Sequence, residues 1–220
     1  MSPPAPFGRA GTAQWIEAVA KELCLDTGAV VTRAMEETED TFVSLREEAR
    51  ERRLGFVIRG TDVRHLVDPA QTWGIPLLVC VEEMGFSVEV LVYGEPGTTE
   101  AAVEAVRATW PADDRLTVTP FLHREELAAA LEASRLDAVY SEHFFDRRVT
   151  ESGLASFSSQ YFERGLDGAT RTLRRLLELC RLPFYSRYGR HLRRSAEARG
   201  LPRAFGIESS SPKAPKARTR

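Results

Sequence analysis

A short β-rich run followed, one helix later, by a second and longer one constrains this chain more than anything else in it. Phe56-Val57-Ile58 ends in Arg59-Gly60-Thr61-Asp62, and further on Glu83-Met84-Gly85-Phe86 leads into Ser87-Val88-Glu89-Val90-Leu91-Val92-Tyr93-Gly94. Strand, turn, helix, turn and strand in that order make one βαβ unit, and residues 136–168 echo it. Parallel strands joined by helices gather their loops at the strand C-termini, where backbone N–H groups at a helix start face a ligand or a partner. Function is expected on that edge.

The remaining elements follow from period and punctuation. Residues 1–10 are Pro-rich and read as irregular. Thr12 is a candidate cap for a helix carrying Trp15, Ile16, Val19, Ala20 and Leu23 and ending near Leu25. Asp26 or Thr27 starts a longer helix with Val30, Val31, Ala34, Met35, Phe42, Leu45 and Ala49 on one side and Glu36, Glu37, Glu39 and Asp40 as an acidic cluster. Leu77-Leu78-Val79-Cys80-Val81 reads as a strand on β-branched content. We prefer a helix over residues 76–84, because Pro76 suits a first helical position and Gly85 a helix stop. Gly94-Glu95-Pro96-Gly97 is a turn, with Thr98 capping a helix through Ala108. A strand at 116–118, a helix at 123–133, a strand at 136–140, a helix at 144–151, a strand at 154–157 and an amphipathic helix at 167–181 complete the alternation. This predicts an α/β fold: an open, mostly parallel Rossmann-like sheet with helices on both faces, preceded by a helix pair. The expected divisions are a helical pair packing on the sheet (1–53), the Rossmann-like domain (54–181), a basic helical extension (182–208) and a disordered basic tail (209–220).

Composition narrows the function classes. An apolar fraction of 43% and a charged fraction of 28% are those of a globular protein. With no long apolar run and no leader pattern at Met1-Ser2-Pro3-Pro4, neither a membrane span nor a signal peptide is expected, and the cytoplasm is the default location. Cys24, Cys80 and Cys180 are isolated from one another. They form no close pair of the sort that structural zinc or iron–sulfur sites use, so no metal ligands are assigned and buried free thiols are the expectation. Residues 181–220 hold eleven Lys and Arg against Glu197 and Glu208, about +9, leaving about −11 for the rest of a chain whose total is −2. That tail is read as solvated rather than as a nucleic-acid contact, since no nucleic-acid fold accompanies it.

Candidate site residues lie where strands end. Gly60, Thr61 and Arg64, with His65, follow the first strand. A glycine there permits close backbone approach, and basic side chains suit an anion, although an ordinary βα turn explains them as well. Ser141, Glu142 and His143 follow the fourth strand, and Ser158, Ser159 and Gln160 the fifth. Glu142 and His143 are the candidate acid and base, provided the chain has already turned into a loop, since neighbours on a strand point to opposite faces. Phe144, Phe145, Arg147 and Arg148, with Tyr161, Phe162 and Arg164, fit either loop packing or a subunit interface. The strict G-x-G-x-x-G fingerprint is absent, which argues against a nucleotide cofactor.

Three segments resemble the C-terminal Rossmann-like domain of the nitrogenase component 1-type oxidoreductase superfamily, which includes the molybdenum-iron protein subunits and the dark-operative protochlorophyllide reductases. Pro6-Phe7-Gly8 with Gly11-Thr12 and Trp15-Ile16 is similar to the family's P-(I/F)-G-x-x-x-T-x-x-(F/W)-(L/I). Glu83-Met84-Gly85-Phe86 is similar to its E-x-G-M, and Ser156 with Gly165-Leu166-Asp167-Gly168-Ala169 to its closing S…G-(Y/F)-x-G-A. The likeness covers about residues 5–180. A weaker one joins Leu182-Pro183-Phe184-Tyr185-Ser186-Arg187, Arg193-Arg194 and Glu197 to the end of one protochlorophyllide reductase subunit. The resemblance implies a truncated nitrogenase component 1-like subunit of an oxidoreductase system that works with a metallocluster or tetrapyrrole. The partner would be a homo-oligomeric or hetero-oligomeric nitrogenase-like subunit, with any iron–sulfur cluster or tetrapyrrole shared with it. Two departures matter: nothing matches the Cys-bearing N-terminal domain, and Ala155 stands where the catalytic nitrogenase subunit has a metal-binding histidine. They leave open a non-catalytic accessory module that docks on such a partner or binds a small anionic ligand.

Overall fold

The computed structural model describes residues 5–110, 114–141, 149, 152–182 and 187–188. Two helices come first, α1 (Gly8–Glu22) and α2 (Gly28–Ala49). The sheet follows: β1 (Arg53–Arg59), α3 (Arg64–Val67), α4 (Leu77–Glu83), β2 (Ser87–Tyr93), α5 (Pro96–Thr109), β3 (Leu116–Phe121), α6 (Arg124–Ala133), β4 (Ala138–Tyr140), β5 (Ala155–Phe157) and α7 (Leu166–Cys180). All neighbouring strands run parallel, in the order β3-β2-β1-β4-β5. This is the open Rossmann-like α/β sheet that the alternation of elements implies.

Alternating strand residues feed two cores. Leu54, Phe56, Val88, Val90, Val92, Ala138, Tyr140 and Phe157 pack with α4, α5, α7 and Phe42 and Ala49 of α2 on one face. Leu91 and Val139 pack with Leu127 and Leu131 of α6 on the other. Helices therefore cover both faces, and α2 lies along α7. The helix over Leu77–Glu83 forms despite its β-branched residues, because Leu77, Leu78, Cys80 and Val81 reach the core at helical spacing and Gly85, at φ +91°, stops it.

Several expectations need correction. Thr12 is no cap: it sits inside α1, and its hydroxyl bonds back to the carbonyl oxygens of Gly8 (2.5 Å) and Pro6 (3.1 Å). Thr98 is likewise inside its helix, which opens at Pro96 with Glu95 as the capping position. Val30 is 68% exposed rather than part of the apolar stripe. The helix expected at 144–151 and the basic helix and tail beyond residue 182 lie almost wholly outside the described residues. Among the described residues no helix is long and apolar enough to cross a membrane.

The N-terminal edge of the sheet is tied by ion pairs. Asp137 accepts from the Arg53 backbone N–H at 2.8 Å and lies 3.3 Å from the Arg52 guanidinium. Glu82 pairs with Arg115 at 2.7 Å, and Glu89, 8% exposed, lies 3.8 Å from Arg53.

Candidate functional site

The strand order reverses between β1 and β4, and in open parallel sheets the crevice outside the strand C-termini at such a point is where ligands sit. Pairing of β1 with β4 ends at Phe56 opposite Tyr140, yet β1 continues to Arg59 against β2. Beyond the Phe56 and Tyr140 pair, Arg59, Gly60 and Thr61 rise on one side and Ser141 on the other. Ser158 follows Phe157, the partner of Tyr140, so the two serines are neighbours, and the Ser141 N–H donates to the Phe157 carbonyl at 2.7 Å.

Each of these positions has a local cause. Gly60 is buried against the first turn of α5, where a Cβ would lie 2.9 Å from Thr98 Cγ2 and 3.1 Å from the Thr98 carbonyl oxygen. Only glycine lets the end of β1 close onto that helix. The Thr61 hydroxyl donates to Asp62 Oδ1 at 3.0 Å, and His65 Nδ1 lies 3.0 Å from the Asp62 carbonyl. Arg59 and Arg64 are exposed, and neither forms an ion pair with a described residue. The paired arginines of the N-terminal edge contrast with them.

Under the crevice lies a ring cluster. Phe56 stacks on Tyr140 at 5.2 Å, and Phe157 meets Phe56 edge-on at 5.8 Å, Tyr140 at 5.6 Å and Tyr161 at 6.3 Å. Such stacked and edge-on pairs add to the burial of these rings in the main core. Sequence reasoning passed over it, although an aromatic at the paired C-terminal position of three strands was its signal.

Among the candidates, Gly60, Thr61, Ser141 and Ser158 come together at this edge. Arg64 opens α3 just beyond it. Gln160 is turned elsewhere: it lines an open groove of about 410 Å³ with Tyr161 and with Arg175, Glu178 and Leu179 of α7. Glu142 and His143 lie outside the described residues.

A second convergence holds the fold itself. The Glu83 carboxylate accepts from the backbone N–H groups of Arg9 and Ala10, both at 2.8 Å, capping α1 from a distant helix. Gly8, at φ +72°, leaves it room: a Cβ there would lie 2.5 Å from Glu83 Oε2. Phe7 bridges to Arg164, whose guanidinium lies 5.4 Å from the Phe7 ring centre, and the Gly165 N–H donates to the Pro6 carbonyl at 2.8 Å. Arg9 is buried, bonded to Thr38, to the Met35 carbonyl and to Glu39 beneath the Phe42 ring.

The thiols are separate from one another in the described fold. Burial first, and then the Glu83 charge, push the Cys80 thiol up to about 12, and burial, followed by the Asp137 charge, takes Cys180 to about 12. The two lie on different helices, Cys80 inside α4 and Cys180 at the end of α7. Cys24 is exposed at the turn after α1. Among the described residues no three His, Cys, Asp or Glu side chains gather into a metal-sized site.

The chain is thus an open parallel α/β domain whose strand order reverses between β1 and β4, with Gly60 and Thr61 following β1, Ser141 following β4 and Ser158 following β5. No protein-family model matches this chain, and no curated protein matches it.

Proposed function

We propose that this chain is a nitrogenase component 1-like subunit of an oxidoreductase system, forming one wall of a cleft for a metallocluster or tetrapyrrole that a partner subunit holds. The observation that carries this reading is the mutual locking of the three segments that resemble the family. Pro6-Phe7-Gly8, Glu83-Met84-Gly85 and Arg164-Gly165 are far apart in the chain, yet each supplies what another needs: a carboxylate cap, room for it, and a bridge. In such an assembly the chain binds and orients: Arg59 and Arg64, exposed beside the end of β1, attract negative charge.

The second reading, an accessory module without redox chemistry of its own, is favoured by the scatter of the thiols. Cys80 and Cys180 sit on different helices, and among the described residues no three metal-ligating side chains gather. In that role it docks on a nitrogenase-like partner or takes a small anion at Arg59 and Arg64.

Iron, acid-labile sulfide and the visible spectrum decide between them, measured anaerobically on the chain alone and on the assembly isolated from its native cells. The expected result is a colourless chain and an assembly with stoichiometric iron and sulfide or a tetrapyrrole band. An assembly without any of these would sink the oxidoreductase reading and leave the accessory module.

A further inference from the structure

Beyond its cleft, the described sheet presents an open edge at β3. The carbonyl oxygens of Arg115 and Phe121 accept from the N–H groups of Val88 and Gly94 at 2.7 and 3.1 Å. Residues 115, 117, 119 and 121 therefore turn their backbone groups toward β2, and Leu116, Val118 and Pro120 turn theirs outward. Pro120 falls where its missing N–H takes nothing from the ladder. Next to this edge, Thr99, Glu100, Val103, Glu104 and Arg107 of α5 line an open groove of about 520 Å³ with Val118 and Pro120. Leu116, Val118 and Val103 are half-buried, and Glu100, Glu104 and Arg107 form no ion pair with a described residue.

We propose that this edge joins two copies of the chain, β3 pairing antiparallel with β3 of the second copy about a two-fold axis near Val118. The two Val118 residues then exchange N–H and C=O bonds, and each Leu116 N–H meets the Pro120 carbonyl of the other copy. Only the Leu116 carbonyls, facing the prolines, go without. Pro120 keeps the strand pairing short, so the flanking helices must contribute to the contact.

The charge pattern on α5 selects the occupant. Glu100, Val103, Glu104 and Arg107 run along the edge, and a two-fold axis reverses their order in the second copy. Arg107 of each copy then faces the Glu100 of the other, while Val103 and Val118 cover one another near the axis and Glu104 flanks them. An isologous contact of this kind is self-complementary. A copy added in parallel would set Glu100 against Glu100 and Arg107 against Arg107, and an unrelated extended peptide would satisfy the backbone but not these charges.

Sedimentation of the full chain, wild type and charge-swapped, tests this. The wild type is expected to be dimeric at about 100 µM, and R107E or the E100R/E104R pair is expected to weaken the dimer at least about tenfold, a change of about 1.4 kcal/mol. An equimolar mixture of the two variants should regain the dimer, because the swapped charges then face each other. A monomeric wild type overturns the proposal, as does a dimer indifferent to both variants or a mixture that stays dissociated. The outcome is independent of the iron analysis, so either proposal can fail without the other.

Discussion

Gly8 has the least freedom to change of any residue near the N-terminus. It combines a left-handed backbone, φ +72°, with a Cβ direction that points into the Glu83 carboxylate 2.5 Å away. Gly8→Ala is expected to cost about 1–3 kcal/mol, since it strains the backbone and pushes the carboxylate off the Arg9 and Ala10 N–H groups. Urea unfolding of the variant with an unchanged slope would check it, and a loss below a few tenths of a kcal/mol would show that the Glu83 cap matters little. Gly60 is constrained by contact alone: a Cβ there would meet Thr98 Cγ2 at 2.9 Å and the Thr98 carbonyl oxygen at 3.1 Å, and the carbonyl cannot swing aside.

At the scale of elements, α7 is held to the loop before it by one carboxylate. Glu163 accepts from the Arg171 guanidinium at 2.7 Å and pairs with Arg175, and the bond to Arg171 holds its carboxyl below the usual range. Because the folded pKa is the lower one, this contribution is present above the unfolded value of 4.5 and is lost as pH falls through the folded one. E163Q should therefore melt less steeply than wild type on acidification below about pH 4.5, while the two curves run parallel near pH 7; identical acid slopes would remove Glu163 from the account.

Elements also show what was legible beforehand. Strand ends, the Leu77–Glu83 helix and the Gly85 stop could be read locally, because their causes are local: period, proline and glycine. The start of α1 could not. Its cap arrives from Glu83, and no window around Thr12 contains that carboxylate. The crevice was half legible: glycine and hydroxyls after strands marked the edge, but only the strand order shows that Ser141 sits beside the end of β1 while Gln160 faces α7. The ring cluster needed register as well, since Phe56, Tyr140 and Phe157 become one group only when their strands are aligned.

Over the whole molecule, the sheet is uneven. β1 and β2 align over seven residues and β2 and β3 over six, whereas β1 with β4 and β4 with β5 align over three each. The crevice runs along the boundary between a long-laddered half and a short-laddered one. Amide hydrogen exchange should reflect this, with protection at Val90 and Leu91 set by global unfolding and protection at Val139 and Ser156 lower and set by local opening. Equal protection in both halves would contradict it. Any binding at this boundary would, through the uneven ladder, be felt as time rather than shape. A ligand held by Thr61 on one bank and Ser141 on the other would leave the long half as it is and slow the opening of the short half, so occupancy would register in the lifetime of β4 and β5 before any atom had moved far.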